Sequence, residues 1–499
     1  MHVTPDDESR LVASVPHALW INGAPTAAKG GRTLPVHDPA TGRILCEVAD
    51  ASVEDGLRAL DASVEARAAW AATAPRDRGE ILRRAFELMI ERADHFALLM
   101  TLEMGKPLAE SHAEVRYAAE FLRWFSEEAV RISGQYATSP DGATRLLTLK
   151  RPVGPTLMIT PWNFPLAMGT RKVGPAVAAG CTMLVKPAAQ TPLSMYALAS
   201  LMQEAGLPDG VLNVVTTSTS GAVMEPLIRD SRVRKLTFTG STDVGRRLVE
   251  QSAEQLLRVS MELGGNAPFL VLADADLDDA VDGAMMAKMR NMGEACTAAN
   301  RFLVHGSVVE EFTARLGARM GELLLGRGTE PGVQVGPMID ATSRDKIADL
   351  VDEAVDGGAE VVVGGSTTGE QGWFYQPTVL RNVSPESALL QEEIFGPVAP
   401  VTSFDTLDEA LELANSTEYG LVAYAYTDDL DDALRLAEGL DTGMVAINQG
   451  VVSNPAAPFG GVKASGFGRE GGREGIEEYL ETRYVGIRPR PGRSRSAAG

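Results

Sequence analysis

From residue 153 to residue 271 the sequence alternates short apolar runs with helical stretches, and few folds accommodate that order. Thr156-Leu157-Met158-Ile159-Thr160, Met183-Leu184-Val185, Val211-Leu212-Asn213-Val214-Val215 and Lys235-Leu236-Thr237-Phe238 read as buried strands. Between them, residues 166–179 read as a helix, and Thr191-Pro192 opens another that Gly206 closes, with proline at a first helical position where its missing N–H costs nothing. Strands joined through helices run parallel and carry helices on both faces of the sheet. Ligands on such sheets bind beyond the carboxyl ends of the strands. The polar exceptions fall there: Asn163 after the first strand, Lys186 after the second, Gly240-Ser241 after the last.

The alternation returns over residues 272–470, with Asp276 to Met289 as a helix and Val361-Val362-Val363, Val398-Ala399-Pro400-Val401, Ala423-Tyr424-Ala425-Tyr426 and Met444-Val445-Ala446-Ile447-Asn448 as strands. The expected fold class is therefore α/β, with two doubly wound Rossmann-like domains of similar size. Ahead of them, Trp20-Ile21-Asn22-Gly23 and Ile44-Leu45-Cys46-Glu47-Val48 read as short strands in which Cys46 is a packing residue. Residues 52–132 carry helical periodicity, broken at Gly105-Lys106-Pro107. Residues 1–15 read as a loose tail. Arg145 to Lys150 and Tyr484 to Ile487 lie outside the main alternation and suggest a small β arm that pairs across subunits.

A net charge of −21 does not invite nucleic acid or an anionic membrane surface. Three cysteines without C-x-x-C spacing and six scattered histidines argue against a disulfide framework or a metal site. The acidic N-terminus lacks the apolar core of a signal peptide, and no apolar run reaches membrane-spanning length. The expected compartment is the cytoplasm, and neither membrane nor nucleic acid is an expected partner.

Chemistry concentrates in a few stretches. Cys296 is surrounded by Gly293, Ala295, Ala298 and Ala299, with Arg290 six residues earlier. Small neighbours leave a sulfur approachable and a positive charge favours the thiolate nucleophile, although a lone cysteine also serves as a small buried hydrophobe. Glu262, before Gly264-Gly265, suits a general base or a surface position. In Pro161-Trp162-Asn163-Phe164-Pro165 two prolines fix one amide, which suits an oxyanion or simply a stiff turn. Gly240-Ser241 joins a strand to a helix whose first N–H groups can hold a pyrophosphate, and the same residues commonly cap helices. The G-x-G-x-x-G match at Gly466 to Gly471 is rejected as a dinucleotide fingerprint, because a turn-rich loop precedes it instead of a strand.

Pro161 to Pro165, Lys186-Pro187-Ala188, Phe238 to Thr242, Glu262 to Asn266, Gly293 to Cys296 and Glu393-Ile394-Phe395-Gly396-Pro397 occur in one order. Together they resemble the NAD(P)-dependent aldehyde dehydrogenase superfamily over about residues 18 to 488. Thr170 to Ala176, Arg290-Asn291 and Arg469 to Gly472 are most similar to its succinate-semialdehyde dehydrogenases. The resemblance implies a cofactor-binding domain (16–133 and 153–264), a catalytic domain (265–470) and an oligomerisation arm (134–152 and 471–492) between tails at 1–15 and 493–499, assembled as homodimers or homotetramers. It implies that Cys296 attacks the aldehyde, that Asn163 and the Cys296 N–H hold the oxyanion, that hydride passes to the nicotinamide and that Glu262 activates the water that releases the acid. It places Thr160, Trp162, Lys186, Ala189, Gly240, Ser241, Leu263, Glu393 and Phe395 along the cofactor. It places Arg171, Arg290 and Ser453 around a substrate carboxylate.

Two departures from the family pattern stand out. Thr217 occupies a region where many relatives carry glycine, and Ala298 stands where some semialdehyde enzymes carry a second cysteine, so no local disulfide switch is expected. Relatives strict for NAD commonly carry glutamate three residues after the lysine of Lys-Pro-Ala. Here that residue is Ala189, which leans the expectation to NADP or to dual use. The alternatives are a broad-specificity aliphatic or aromatic aldehyde dehydrogenase, a CoA-acylating enzyme, which the base Glu262 disfavours, and a non-catalytic relative, which intact Cys296, Glu262 and Asn163 disfavour.

Overall fold

The computed structural model describes residues 3–489; the end of the expected arm (490–492) and the tail 493–499 lie outside the described residues. The first sheet has Thr156–Ile159 at its centre. The chain runs outward through the parallel strands Met183–Lys186 and Leu212–Val214, then returns to the other side of Thr156–Ile159 for Lys235–Thr239 and Arg258–Glu262, also parallel. The reversal creates a switch point between Thr156–Ile159 and Lys235–Thr239, where connections leave in opposite directions and open a crevice at the carboxyl ends. Every residue of Thr156–Ile159, Met183–Lys186 and Lys235–Thr239 is buried. Burial on both faces fits the apolar runs Leu157–Ile159 and Met183–Val185, whereas Lys235–Thr239 alternates polar and apolar residues although all five are buried.

Helices cover this sheet. In Leu108–Glu128 the buried positions Ser111, Glu114, Val115, Ala118, Ala119, Leu122 and Phe125 recur at three and four residues and face Ala167–Ala179. The second sheet runs Glu360–Val363, Thr378–Arg381, Val398–Phe404, Ala299–His305, Ala267–Val271, Val422–Tyr426, Met444–Ile447, with only its first pair antiparallel. Arg258–Glu262 leads through Leu263 to Asn266 directly into Ala267–Val271, so carboxyl ends of the first sheet face amino ends of the second. Among the described residues no helix is long and apolar enough to cross a membrane.

Several expectations need correction. The expected loose tail at 1–15 is corrected over residues 3–15, residues 1 and 2 lying outside the described residues: Pro5–Ser14 is a helix with a reciprocal Thr4–Asp7 capping box, and Leu11 and Val12 are buried in the first core. Asn22 and Gly23 are not strand but a two-residue turn with positive φ, joining Leu19–Ile21 to Ala24–Thr26. The arm strands pair within one chain, Leu480–Ile487 against Arg145–Pro152, with Gln135–Thr138 on the other side. The expected domain boundary is crossed as well, because Gly466–Phe467 extends the first sheet antiparallel to Met261 and Glu262.

The helix expected from Thr191-Pro192 begins one residue later, at Leu193, without a cap from its own sequence. The carboxylate of buried Glu103 supplies one, accepting from the N–H groups of Leu193 (2.7 Å) and Ser194 (2.9 Å) and from the Ser194 hydroxyl. Glu103→Ala strands these donors in the core. Lost caps and lost bonds to a charged group together cost about 2–4 kcal/mol, so urea unfolding should shift by that amount; an unchanged midpoint would mean the cap is dispensable.

Candidate active site

The turn after Thr156–Ile159 carries Asn163, whose side-chain amide and backbone carbonyl are both held by partners. Its Oδ1 accepts from the Phe164 N–H (3.1 Å) and its Nδ2 donates to the Glu294 carbonyl (3.0 Å). Its carbonyl accepts from Lys106 Nζ (2.7 Å) and Asn291 Nδ2 (3.0 Å). Lys106 is paired with Glu114 at 2.6 Å, both fully buried. The other Glu114 oxygen takes the N–H groups of Leu166 and Ala167, both at 3.0 Å, at the start of Ala167–Ala179.

The helix Leu277–Met289 stops at a left-handed turn, Asn291 (φ 54°), Met292 (φ 58°) and Gly293 (φ 78°). Two non-glycine residues in that region cost roughly 1–2 kcal/mol each, so the turn has to be held. A Cβ on Gly293 would stand 2.2 Å from the Gly396 carbonyl oxygen, which only glycine permits. Met292 Sδ accepts from the Gly336 N–H (3.0 Å), and Glu294 Oε1 accepts from the Ile339 N–H (3.1 Å). Cys296 follows, half-buried, and its backbone N–H meets no protein acceptor among the described residues.

Cys296 opens on a cavity of about 210 Å³ at the switch point, lined by Pro161, Trp162, Asn163, Met168, Thr239, Gly240, Ser241, Leu263, Gly264, Glu393 and Phe395. Ser241 is the N-cap of Thr242–Ser252 and makes no side-chain capping bond, so the first-turn N–H groups remain free for an anion. A Cβ on Gly240 would meet the Phe238 ring at 2.5 Å, and one on Gly245 would meet Leu263 at 2.4 Å; glycine is what lets strand, turn and helix close up here. Lys186 is buried and without an ion-pair partner among the described residues, and burial pushes its pKa down to about 8. Ala189 packs on the first core and offers no carboxylate. Thr160 lies beside Lys186, its N–H donating to the Lys186 carbonyl (3.2 Å). Thr217 points away from the cavity and donates to the Ala51 carbonyl (3.1 Å). Glu393 accepts from the Gly265 N–H (3.1 Å), and burial pushes its pKa up to about 7. Phe395 meets Trp162 edge-to-face at 5.3 Å.

Glu262 ends its strand buried, with neither carboxyl oxygen hydrogen-bonded. Burial, then the neighbouring Glu470, hold its pKa well above the carboxylate range against the pull of Arg171, Lys172 and Arg469. Glu470 keeps its charge because Lys172 and Arg171 outweigh its own burial. The thiol of Cys296 is pushed up to about 12, first by burial, with Arg171 and Arg290 opposing and Glu393 and Glu262 adding to it.

The two arginines differ. Arg171 is buried, its Nε 2.8 Å from Glu470 Oε2 and its guanidinium 4.0 Å from the centre of the Phe459 ring. The angle to Glu470 is not that of a hydrogen bond, so Nε and Nη2 lack hydrogen-bond partners. Arg290 lies over the rings of Phe164 (5.1 Å) and Tyr117 (5.6 Å) and forms no ion pair among the described residues. It lines a second cavity of about 490 Å³ with Met285, Met289, Gln334 and Val451. Ser453 is half-buried two residues beyond Val451 and lines neither cavity. Sequence reasoning missed Lys106, Glu114, Met292 and Glu470. The available signal was Glu114 inside an apolar stripe, since a charge on a helix's buried face calls for a partner.

The model of the aldehyde dehydrogenase family matches residues 26–485. The succinate-semialdehyde dehydrogenase of Paenarthrobacter nicotinovorans is 60% identical over 444 residues, 89% of this chain and 99% of that protein. The glutarate-semialdehyde dehydrogenase of Pseudomonas aeruginosa is 48% identical over 466 residues, 93% of this chain and 96% of that one. Among solved structures, an NADP dependent enzyme of E. coli superposes with a TM-score of 0.94 at 47% identity, covering 96% of this chain and 99% of that chain.

A thiol with a pKa near 12 is protonated throughout the neutral range, and its thiolate fraction grows tenfold per pH unit. Alkylation of Cys296 by iodoacetamide in the ligand-free enzyme should therefore accelerate about tenfold per unit from pH 7 to 9; a plateau by pH 8 would show a thiolate already formed.

Proposed function

The chain belongs to the aldehyde dehydrogenase family, and from that premise we propose that it oxidises succinate semialdehyde to succinate with NAD(P)+. The thiolate form of Cys296, its proton lost to solvent, adds through Sγ to the aldehyde carbon, and the developing oxyanion is met by Asn163 Nδ2 and the Cys296 N–H, donors whose directions the fold has already set. Bound NAD(P)+ supplies the hydride acceptor. The free helix start at Ser241, unpaired Lys186 and Glu393 fit such a dinucleotide, with Thr160, Trp162, Gly240, Leu263 and Phe395 around it. Loss of hydride from the carbon leaves a thioester on Sγ; Glu262 then takes a proton from the water that attacks it, and Sγ departs as the acid is released. The raised pKa of Glu262 makes it a stronger base once ionised than an exposed carboxylate.

One observation carries the substrate: among the described residues the guanidinium of Arg290 has no ion-pair partner and Nη2 of Arg171 has no hydrogen-bond partner, so both supply fixed positive charge on a strongly acidic chain. Guanidinium groups hold carboxylates by charge-assisted bonds. The two relatives named for semialdehydes are named for substrates that end in a carboxylate, of four and five carbons. The absence of a carboxylate at Ala189 supports NADP as the preferred form, since nothing there repels a 2′-phosphate. Exposed Tyr136, Leu149, Tyr484 and Ile487 on the arm support its coverage by another copy in a homodimer or homotetramer, and the free thiols and acidic charge support a cytoplasmic enzyme.

Arg290→Met should lower kcat/KM for succinate semialdehyde about ten- to a hundredfold, the equivalent of about 1.5–3 kcal/mol for bonds to a charged group, and leave butyraldehyde nearly untouched. Arg171→Met should depress both aldehydes, because it also removes a cation from Glu470 beside Glu262. Equal use of both aldehydes by the wild type, with glutarate semialdehyde as a third arm, would return the enzyme to broad specificity. Ala189→Glu should weaken NADP selectively over NAD, read from the two KM values; an equal loss would remove Ala189 from the cofactor choice.

A further inference from the structure

The helix Pro5–Ser14 is remote from Cys296 in sequence, yet a short series of contacts joins them. Glu8 takes both Nη groups of Arg327, at 2.8 and 2.9 Å, and Arg327 also donates to Asp38 at 2.9 Å from Nη2 and 3.2 Å from Nε. The Glu8 and Asp38 side chains are 13% and 5% exposed, so solvent screens this fork less than it would a surface pair. Arg327 sits in the segment 323–339, which folds back on itself with Leu325 bridged to Val335. That segment is seated on Gly105-Lys106 without room for side chains. A Cβ on Gly328 would stand 2.5 Å from the Lys106 carbonyl oxygen, and one on Gly336 would stand 2.2 Å from that of Gly105. The far end of the same segment supplies the Gly336 N–H to Met292 Sδ and the Ile339 N–H to Glu294. Met104, Met292, Val335 and Ile339 form one buried cluster between them.

These contacts bear on the part of the site least able to hold itself. Asn291 and Met292 have left-handed backbone and would relax if released, and the Glu294 carbonyl that follows them orients the Asn163 amide. We propose that the N-terminal helix is a working part of the active site: through the Glu8–Arg327 fork it presses residues 323–339 against the turn Asn291-Met292-Gly293 and so aims Cys296. Glu8 and Arg327 are positioning residues. The inference rests on the reading of Cys296 as the nucleophile.

The test measures four quantities on the full-length enzyme: the rate of the first turnover, the rate of Cys296 alkylation without substrate, the Kd for NADP and the thermal midpoint. Cys296→Ala identifies the alkylation signal, and activity surviving in that variant would sink the functional reading independently of the clamp. Glu8→Ala and Arg327→Met should each slow first turnover and alkylation about tenfold with Kd for NADP unchanged. The double variant should be no slower than either single one, because both break the same fork. Arg327→Lys, which keeps the charge, should recover most of the rate and serves as the informative variant if Arg327→Met does not fold. Wild-type alkylation rates in Glu8→Ala would overturn the proposal. So would a parallel loss of NADP binding and thermal midpoint, which marks general fold support.

Discussion

The buried pair between Lys106 and Glu114 is the interaction on which the site depends most. Two charges at 0% and 1% side-chain exposure are expensive to desolvate, and such a pair adds little net stability over apolar residues of the same shape. Its value here lies in direction. Lys106 holds the carbonyl of Asn163 while Glu114 holds the N–H groups that open Ala167–Ala179, so one ion pair fixes both ends of the turn that presents the amide. Losing one partner would leave a bare charge in the core, a cost of about 3–5 kcal/mol, and would free the turn as well. Lys106 also belongs to the Gly105-Lys106 backbone on which residues 323–339 rest, so the Asn163 amide and the turn before Cys296 share one foundation.

The electrostatics around that foundation are those of a dry site. Burial is the largest influence on Glu262, Cys296 and Glu393, and in each case it favours the neutral form. Charge survives where it is paired: Glu470 stays ionised because Lys172 and Arg171 are both against it. Glu262 therefore feels a fixed negative neighbour, which adds to burial in favouring its neutral form. The same Arg171 pulls the Cys296 thiol down, so one guanidinium acts on Glu470, Glu262 and Cys296 together. This is why its substitution cannot report on substrate charge alone, whereas Arg290, with no acid partner among the described residues, can.

The sequence showed the sheets because both are parallel cores: strands buried on two faces, such as Met183–Lys186, are uninterrupted apolar runs, and the glycine turn after Lys235–Thr239 is local. The crevice residues were legible for the same reason, since Asn163 and Ser241 follow their strands immediately and line one cavity with Cys296. What stayed hidden was non-local. Nothing in Pro5–Ser14 announces that Glu8 meets a residue more than three hundred positions away, although its Thr4–Asp7 capping box was there to be read. The partner of the arm strand Leu480–Ile487 could not be told from its pattern, because an edge strand of this composition pairs as readily within a chain as between chains. The N-terminal cap of Leu193–Glu204 came from Glu103, ninety residues away, where local rules pointed to Thr191.

Where the sheets meet, backbone lies on backbone. Gly265 would place a Cβ 2.3 Å from the Cys296 carbonyl oxygen, and Gly293 would place one 2.2 Å from that of Gly396. Contacts this close bring the turn before Cys296 and the loop bearing Glu393 and Phe395 together, but a glycine pair has no side chains to lock them in place. Lys288 supplies the lock. It is fully buried, lies one turn before the nucleophile loop, and donates to the Gly396 carbonyl (3.1 Å) and to Asn300 Oδ1 (3.3 Å). Burial pushes its pKa down to about 7, with Glu393 opposing, so near neutral pH it changes between a charged and a neutral donor. It can donate to a carbonyl in either state. The geometry therefore survives the titration, while the field at Glu393 does not, and the carboxylate that faces the cavity gains or loses a buried cation as Lys288 titrates.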